Sequence, residues 1–256
     1  MYNLAIIQAR MGSSRLPGKV LMKLEGKPVL WHVASRVSRS SYVDDVVVAT
    51  TFKKEDLEIV KYCSSNGIRI FIGSEDDVLD RYYQAAKLFK PDNVIRITAD
   101  CPLHDPYVID QIICKHIKDD NDYTSNTIEE TFPDGLDCEI MKFYVLEDTW
   151  KKAVMASERE HVTQYIIKNN KYKLGCVLSP VNRKNERWTL DTAEDYNFIK
   201  KIFARFYSIN PEFRSEDIYA FLDSEPELRK INSNILRNEG LLKSLMNDHV
   251  FALEES

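Results

Sequence analysis

Short runs of Val and Ile alternate with longer amphipathic stretches from residue 3 to about residue 118, and that rhythm admits few folds. Strand, crossover helix and parallel strand make a βαβ unit, so the alternation predicts an α/β chain with a mostly parallel sheet. Strands are expected at Asn3–Gln8, Asp45–Thr50, Ile68–Ile72 and Asn93–Thr98. Helices are expected at about Pro28–Ser40, Lys54–Asn66 and Asp76–Lys90, with a further one near Pro106–Lys118. The strands are continuous in Val and Ile rather than strictly alternating, as a sheet covered by helices on both faces requires. After residue 120 the rhythm changes. Asn121–Asn126, Leu136–Met141 and Tyr172–Leu178 read as strands, Lys142–Ala156 and Glu158–Asn169 as helices, and Arg187–Leu190 as a short strand before a helix running to about Phe206. Residues 207–256 are rich in Glu, Lys, Asn and Ser, with apolar residues such as Ile218, Phe221 and Leu222 at helical spacing. The chain therefore divides into a sheet domain, 1–206, and a C-terminal helical extension, 207–256.

At 256 residues the chain is long enough to bury a sizeable core. Its net charge of −5 and lack of a basic tract leave out the footprint of a nucleic-acid binder. The longest apolar runs, such as Val46 to Ala49, are far below the ~18 residues that span a bilayer. A secretory leader is not expected, because Met1 to Arg10 has no basic start and a short apolar stretch. Five cysteines without a C-x-x-C pair argue against a disulfide framework or a zinc site, and a reducing cytoplasm is the expected setting.

Of only eight glycines, Gly12, Gly18 and Gly26 fall directly after the first strand. The stretch Gln8-Ala9-Arg10-Met11-Gly12-Ser13-Ser14-Arg15-Leu16-Pro17-Gly18-Lys19 lies at the carboxyl end of a parallel strand, where open α/β sheets bind ligands. Amide N–H groups, two hydroxyls and three cations suit a polyphosphate. The P-loop spacing fails, since five residues separate Gly12 from Gly18 and Val20 follows Lys19. No G-x-G-x-x-G dinucleotide fingerprint occurs either. Arg15 and Lys19 are the expected phosphate ligands, with Gly12, Ser13 and Ser14 completing the cradle; Arg10 could equally close an internal salt bridge. Asp100 follows the strand Asn93–Thr98 at the same sheet edge, and a carboxylate there can reach a metal on the phosphates, or cap the next turn. On sequence grounds Asp191 reads as a helix N-cap.

The run Gln8 to Lys19 resembles the signature loop of cytidylyltransferases that activate acidic sugars, especially the 3-deoxy-manno-octulosonate enzymes. Gly73-Ser74-Glu75-Asp76-Asp77-Val78-Leu79-Asp80-Arg81-Tyr82, Arg96-Ile97-Thr98-Ala99-Asp100-Cys101-Pro102-Leu103, Phe132-Pro133-Asp134-Gly135-Leu136-Asp137, Glu158-Arg159-Glu160-His161-Val162-Thr163 and Arg187-Trp188-Thr189-Leu190-Asp191-Thr192 follow in order. Together they resemble the spore-coat polysaccharide biosynthesis protein F family, over about residues 3–205. Cys101 stands where the octulosonate enzymes carry an acidic residue, so their sugar specificity does not carry over.

The resemblance implies a Rossmann-like nucleotide-diphospho-sugar transferase fold and Mg²⁺-dependent transfer of CMP from CTP to a sugar for surface polysaccharide or glycan. It makes Asp191 a second metal ligand beside Asp100, and gives Gln8, Ala9, Gly73, Ser74 and Arg81 to the nucleotide, although Ser74 with its acidic neighbours also reads as a plain helix start. Asp134, Asp137, Glu139, Glu160 and His161 are expected to face the acceptor. So acidic a lining suits a hydroxyl-rich or amino-bearing sugar better than an acidic one. Two carboxylates as close as Asp100 and Asp191 should repel one another without a cation. A homodimer contact is implied within 132–169, where Leu146, Trp150, Val154, Val162, Tyr165 and Ile166 exceed what one helix pair must bury. Alternatives are a glycosyltransferase of the same fold, which has little need for the Arg15/Lys19 loop, or a non-catalytic nucleotide-binding subunit.

Overall fold

The structure, a computed structural model, describes residues 1–252; residues 253–256, the end of the expected helical extension, lie outside the described residues. Strand β1 (Asn3–Gln8) leads through a 3₁₀ turn (Lys19–Leu21) and a small hairpin, β2 (Lys23–Leu24) and β3 (Lys27–Pro28), into α1 (Val29–Val37). Then come β4 (Asp45–Thr51), α2 (Leu57–Ser65), β5 (Arg69–Gly73), α3 (Val78–Phe89), β6 (Asn93–Thr98) and α4 (Pro106–Lys118). The second half contains β7 (Tyr123–Ser125), β8 (Glu139–Lys142), α5 (Phe143–Lys152), α6 (Ala156–His161), α7 (Gln164–Lys168), β9 (Leu174–Cys176) and α8 (Ala193–Phe206). Helices α9 (Ser215–Ser224) and α10 (Glu239–Met246) flank a second 3₁₀ stretch, Pro226–Ile231.

Seven strands form one sheet in the order β5-β4-β1-β6-β8-β7-β9. β5, β4, β1 and β6 are parallel, and β8 runs antiparallel to both its neighbours. The chain moves outward from β1 to β4 and β5, then returns to place β6 on the other side of β1. That reversal opens a crevice at the carboxyl ends of β1 and β6, and the loops that follow these two strands line it. Alternation along β1 sends Ala5 and Ile7 into one core and Leu4 and Ile6 into the other, all fully buried. Leu4, Ile6 and Ile7 each contribute roughly 2 kcal/mol of burial. Helices cover both faces, as the Val/Ile runs require. Phe213, Ile218 and Leu222, beyond residue 206, are buried in the same core as α1, α4 and α8.

Two expected elements differ. Arg187–Leu190 forms no strand; its ladder contact is a single bridge between Asp134 and Arg187. Trp188 and Leu190 are fully buried, so the apolar residues that suggested a strand serve the core instead. The expected helix Glu158–Asn169 breaks at Val162, where φ is +61°. A β-branched residue rarely adopts that conformation; here it buries the Val162 side chain completely and lets Thr163 Oγ1 donate to Glu139 at 2.7 Å.

His32, His104 and His116 are at most 2% exposed, and burial pushes each down to about 4. Near pH 7 they are neutral in folded and unfolded chains alike. As pH falls through the ordinary value of about 6.5 the unfolded chain takes up protons that the folded one refuses, so stability is lost until about pH 4, by roughly 3 kcal/mol per histidine. The carboxylates of buried Asp134 and half-buried Asp137, raised to about 6 and 7, titrate with the opposite sign. The histidine share is therefore read by difference: His104→Leu should lose less stability than wild type between pH 7 and 4.5. Parallel melting-temperature curves for the two proteins would contradict this.

Candidate functional site

The loop after β1 is pinned at both ends. Ala9 donates its N–H to the Ala49 carbonyl at 3.0 Å, Met11 donates to Asp56 Oδ1 at 2.6 Å, and Gly18 closes back on the Met11 carbonyl at 2.9 Å. Gly18 needs its positive φ of 72° to make that closure; Gly12 has ordinary backbone and simply leaves open space. Arg10, Gly12, Ser14 and Arg15 are exposed along the loop, whereas Lys19 turns inward and is 8% exposed. Gln8, Ala9, Arg10, Gly12, Ser13, Ser14, Arg15 and Lys19 all line one cleft of about 720 Å³.

On its other side the cleft carries Asp100 and Asp191. The Leu190 N–H donates to the Asp100 carbonyl at 2.8 Å, which ties the two segments together without a regular strand. Lys19 Nζ bridges the carboxylates, 2.6 Å from Asp100 Oδ2 and 2.7 Å from Asp191 Oδ1. Asp191 also accepts from Arg187 at 2.8 Å and lies 3.1 Å from Arg15. The expected repulsion is thus absent, because a lysine fills the gap. Burial would raise the Asp100 carboxyl, but the Lys19 ammonium outweighs it and holds it well below the usual carboxylate range. Burial would likewise lower Lys19, and the two carboxylates hold it up. Asp191 is not the helix cap: Thr192 Oγ1 accepts from the Asp195 N–H at 3.3 Å and caps α8.

The remaining candidates divide. Asp134 and Asp137 line the cleft, paired with Arg187 at 2.8 Å and Arg237 at 2.9 Å. Burial outweighs these arginines and pushes the two carboxyls up to about 6 and about 7. Glu160 and His161 also line it, both bonded to Ser244 of α10. Glu139 does not face the cleft. It is 5% exposed and turned into the sheet, where Arg96, Tyr123 and Thr163 take up its oxygens, so the acceptor assignment is corrected to a buried ion pair. Gly73 and Ser74 also stay off the wall, which Glu75, Asp76, Val78 and Arg81 form instead. They act on Arg81. A Cβ at Gly73 would meet the Phe71 ring at 2.9 Å and the Arg81 side chain at 3.1 Å, and the Ser74 carbonyl accepts from Arg81 at 2.8 Å. Arg187 and Glu239 line the cleft and Arg237 reaches it only through its bond to Asp137; none of the three was singled out as a candidate, and only Arg187 had a signal, lying four residues before Asp191 in the quoted motif.

Gly135 holds the acidic wall against this centre. Its φ is +111°, and a Cβ there would stand 2.5 Å from the Thr189 nitrogen and the Trp188 carbonyl carbon. Gly135→Ala should therefore cost roughly 2–4 kcal/mol and part Asp134 from Arg187. An unchanged melting temperature would refute this.

The model of a protein family described as cytidylyltransferase matches residues 4–237. An uncharacterised protein of Methanocaldococcus jannaschii is 41% identical over 91% of this chain and 95% of its own length. The spore coat polysaccharide biosynthesis protein SpsF of Bacillus subtilis is 34% identical over 88% of this chain and 95% of its own. Among solved structures, a cytidylyltransferase from Leptospira borgpetersenii superposes with a TM-score of 0.85 at 31% identity, covering 89% of this chain and 96% of that one. The fold is thus the Rossmann-like nucleotidyltransferase fold that the sequence implied, and the chain belongs to the cytidylyltransferase family.

Proposed function

We propose that the protein transfers CMP from CTP to a sugar hydroxyl and releases pyrophosphate, in the synthesis of a surface polysaccharide or glycan. The observation that carries this reading is the convergence of Arg15, Lys19, Asp100 and Asp191 on one point of the cleft. The acceptor oxygen attacks the α-phosphorus as the bond to the pyrophosphate bridging oxygen breaks. Arg15 and Lys19, with the loop amides and the Ser13 and Ser14 hydroxyls, neutralise and orient the departing phosphates. Asp137, raised to about 7, has a proton affinity suited to taking the hydroxyl proton. Gln8, Ala9, Arg10 and Arg81 bound the nucleotide half of the cleft; Asp134, Asp137, Glu160 and His161 bound the acceptor half, whose acidity favours a hydroxyl-rich or amino-bearing sugar.

Mg²⁺ fits this donor set. Two hard carboxylate oxygens converge on one point that an ammonium already fills, and phosphate oxygens and water would complete six ligands. Among the described residues no group of three or more His, Cys, Asp or Glu side chains forms a metal cage, so the nucleotide must bring part of the shell. The metal would supply charge neutralisation on the phosphates when bound. Residues 1–206 act as the transferase body in this reading, with the helices beyond packed on it. The homodimer rests on the resemblance alone, since Leu146, Val162 and Ile166 are buried within the protomer and Trp150 stacks on Tyr83. Of the six apolar positions, Val154 is the one left markedly exposed.

The test is pyrophosphate release from CTP, UTP, ATP and GTP with Mg²⁺ and a panel of amino sugars, neutral sugars and sugar acids. Release from CTP with one acceptor class is expected. Binding of a nucleotide sugar in place of CTP would favour a glycosyltransferase, and CTP binding without release for any acceptor would favour a non-catalytic subunit.

A further inference from the structure

Helix α10 lies along the cleft, which Glu239, Gly240, Leu241, Lys243 and Ser244 line, and no residue of it is buried. Leu242, Leu245 and Met246 remain exposed, so apolar packing does not hold it in place. The chain is tied down on either side of it. Before the helix, Arg237 bonds Asp137 and the Phe132 carbonyl at 2.9 Å. After it, the Ala156 N–H donates to the His249 carbonyl at 2.8 Å and the Phe251 N–H to the Val154 carbonyl at 2.7 Å. Between these ties Glu239 Oε2 accepts from Arg15 Nη1 at 2.7 Å, and Ser244 meets Glu160 and His161. Glu239 also has Lys243 one turn along its own helix at 2.6 Å.

We propose that Glu239 is a positioning residue: its carboxylate stands in for the triphosphate on Arg15, so that nucleotide binding displaces Glu239 and frees α10 from the phosphate loop. This rests on the reading of Arg15 as a phosphate ligand. One carboxylate cannot hold a guanidinium against a polyphosphate that brings several charges to the same cradle. Glu239 keeps Lys243 as a counter-ion when it lets go, so its release strands no lone charge. The ties at Arg237 and at His249 and Phe251 keep the segment on the protein while the helix between them moves. The occupied cradle therefore coincides with an unlatched roof, which opens the cleft to the acceptor after the nucleotide is in place.

Titration calorimetry with inorganic tripolyphosphate, with CTP and with UTP, without acceptor, tests this on the full chain. Glu239→Gln should tighten tripolyphosphate about 5-fold, the scale of one exposed ion pair removed from competition. A residue that only supported the fold would weaken binding when changed. In an Arg15→Ala background the same substitution should bring no gain, whereas a general effect of removing one negative charge would persist. In wild type, hydrogen exchange of the α10 amides should rise when tripolyphosphate is added. Unchanged or weaker binding by Glu239→Gln, a gain that survives Arg15→Ala, or α10 amides that become more protected would each overturn the proposal. Tripolyphosphate binding without a preference for CTP over UTP counts against the cytidine reading and leaves the Glu239 result standing; no binding of any of these ligands by wild type removes both.

Discussion

Asp191→Asn should abolish measurable turnover, with a loss of roughly 10³-fold or more in kcat, and Asp100→Asn should do the same. Neither oxygen has a substitute, since the two carboxylates are the acids that converge on the Lys19 position. A role for Asp191 in capping α8 would predict survival of activity, because Asn caps nearly as well as Asp; Thr192 makes that cap instead. Stability should also fall. Lys19, Arg15 and Arg187 all lean on Asp191, and Asn removes the one carboxylate they share, leaving each with its other acid, Asp100, Glu239 or Asp134, across a partly buried gap. A loss of about 1–3 kcal/mol follows. Two bare carboxylates would have predicted the reverse, a variant as stable as wild type or more so. Pyrophosphate release and thermal melts on the same preparations separate these outcomes, and near-wild-type turnover in Asp191→Asn would sink the paired-aspartate site.

Lys19→Ala and Arg15→Ala should each lower kcat/KM for CTP by roughly 10²-fold or more, about 3 kcal/mol of charge stabilisation on the phosphates. Their effects on the free protein should differ. Arg15 keeps a third of its side chain exposed, and its loss should hardly move the melting temperature. Lys19 is nearly buried between two carboxylates, and removing it leaves them uncompensated. Mg²⁺ alone should then raise the melting temperature of Lys19→Ala more than that of wild type, because a cation can take the vacated place without displacing a lysine. A Lys19→Ala protein whose melting temperature ignores Mg²⁺ would show that the two aspartates do not form a cation site without the nucleotide.

Where local pattern decides structure, the sequence was easily read. Asn3–Gln8, Asn93–Thr98 and Pro106–Lys118 have the expected bounds because a buried Val/Ile run or an Asp105-Pro106 helix start leaves little choice. The loop from Gln8 to Lys19 was legible for the same reason: its glycines, hydroxyls and cations sit next to one another in the chain. Pairings between distant residues were not. Glu139 looks like any acidic residue near a motif, and only the register of β8 against β6 turns it onto Arg96. Arg187–Leu190 carries a strand's letters, yet the close approach of Gly135 to Trp188 and Thr189 sets its path. Glu239 had no local signal at all, since its partner Arg15 lies 224 residues away.

That separation has a consequence in time. The four parallel strands that carry the Gln8–Lys19 loop are complete by residue 98, so this half of the sheet can assemble while the residues after it are still being synthesised. Asp191 reaches Lys19 across 172 residues, and Glu239 reaches Arg15 later still. Contacts of such long range are the last to close. A nascent chain therefore displays the cations of the Gln8–Lys19 loop before Asp191 and Glu239, the acids that pair with Lys19 and Arg15, have been made.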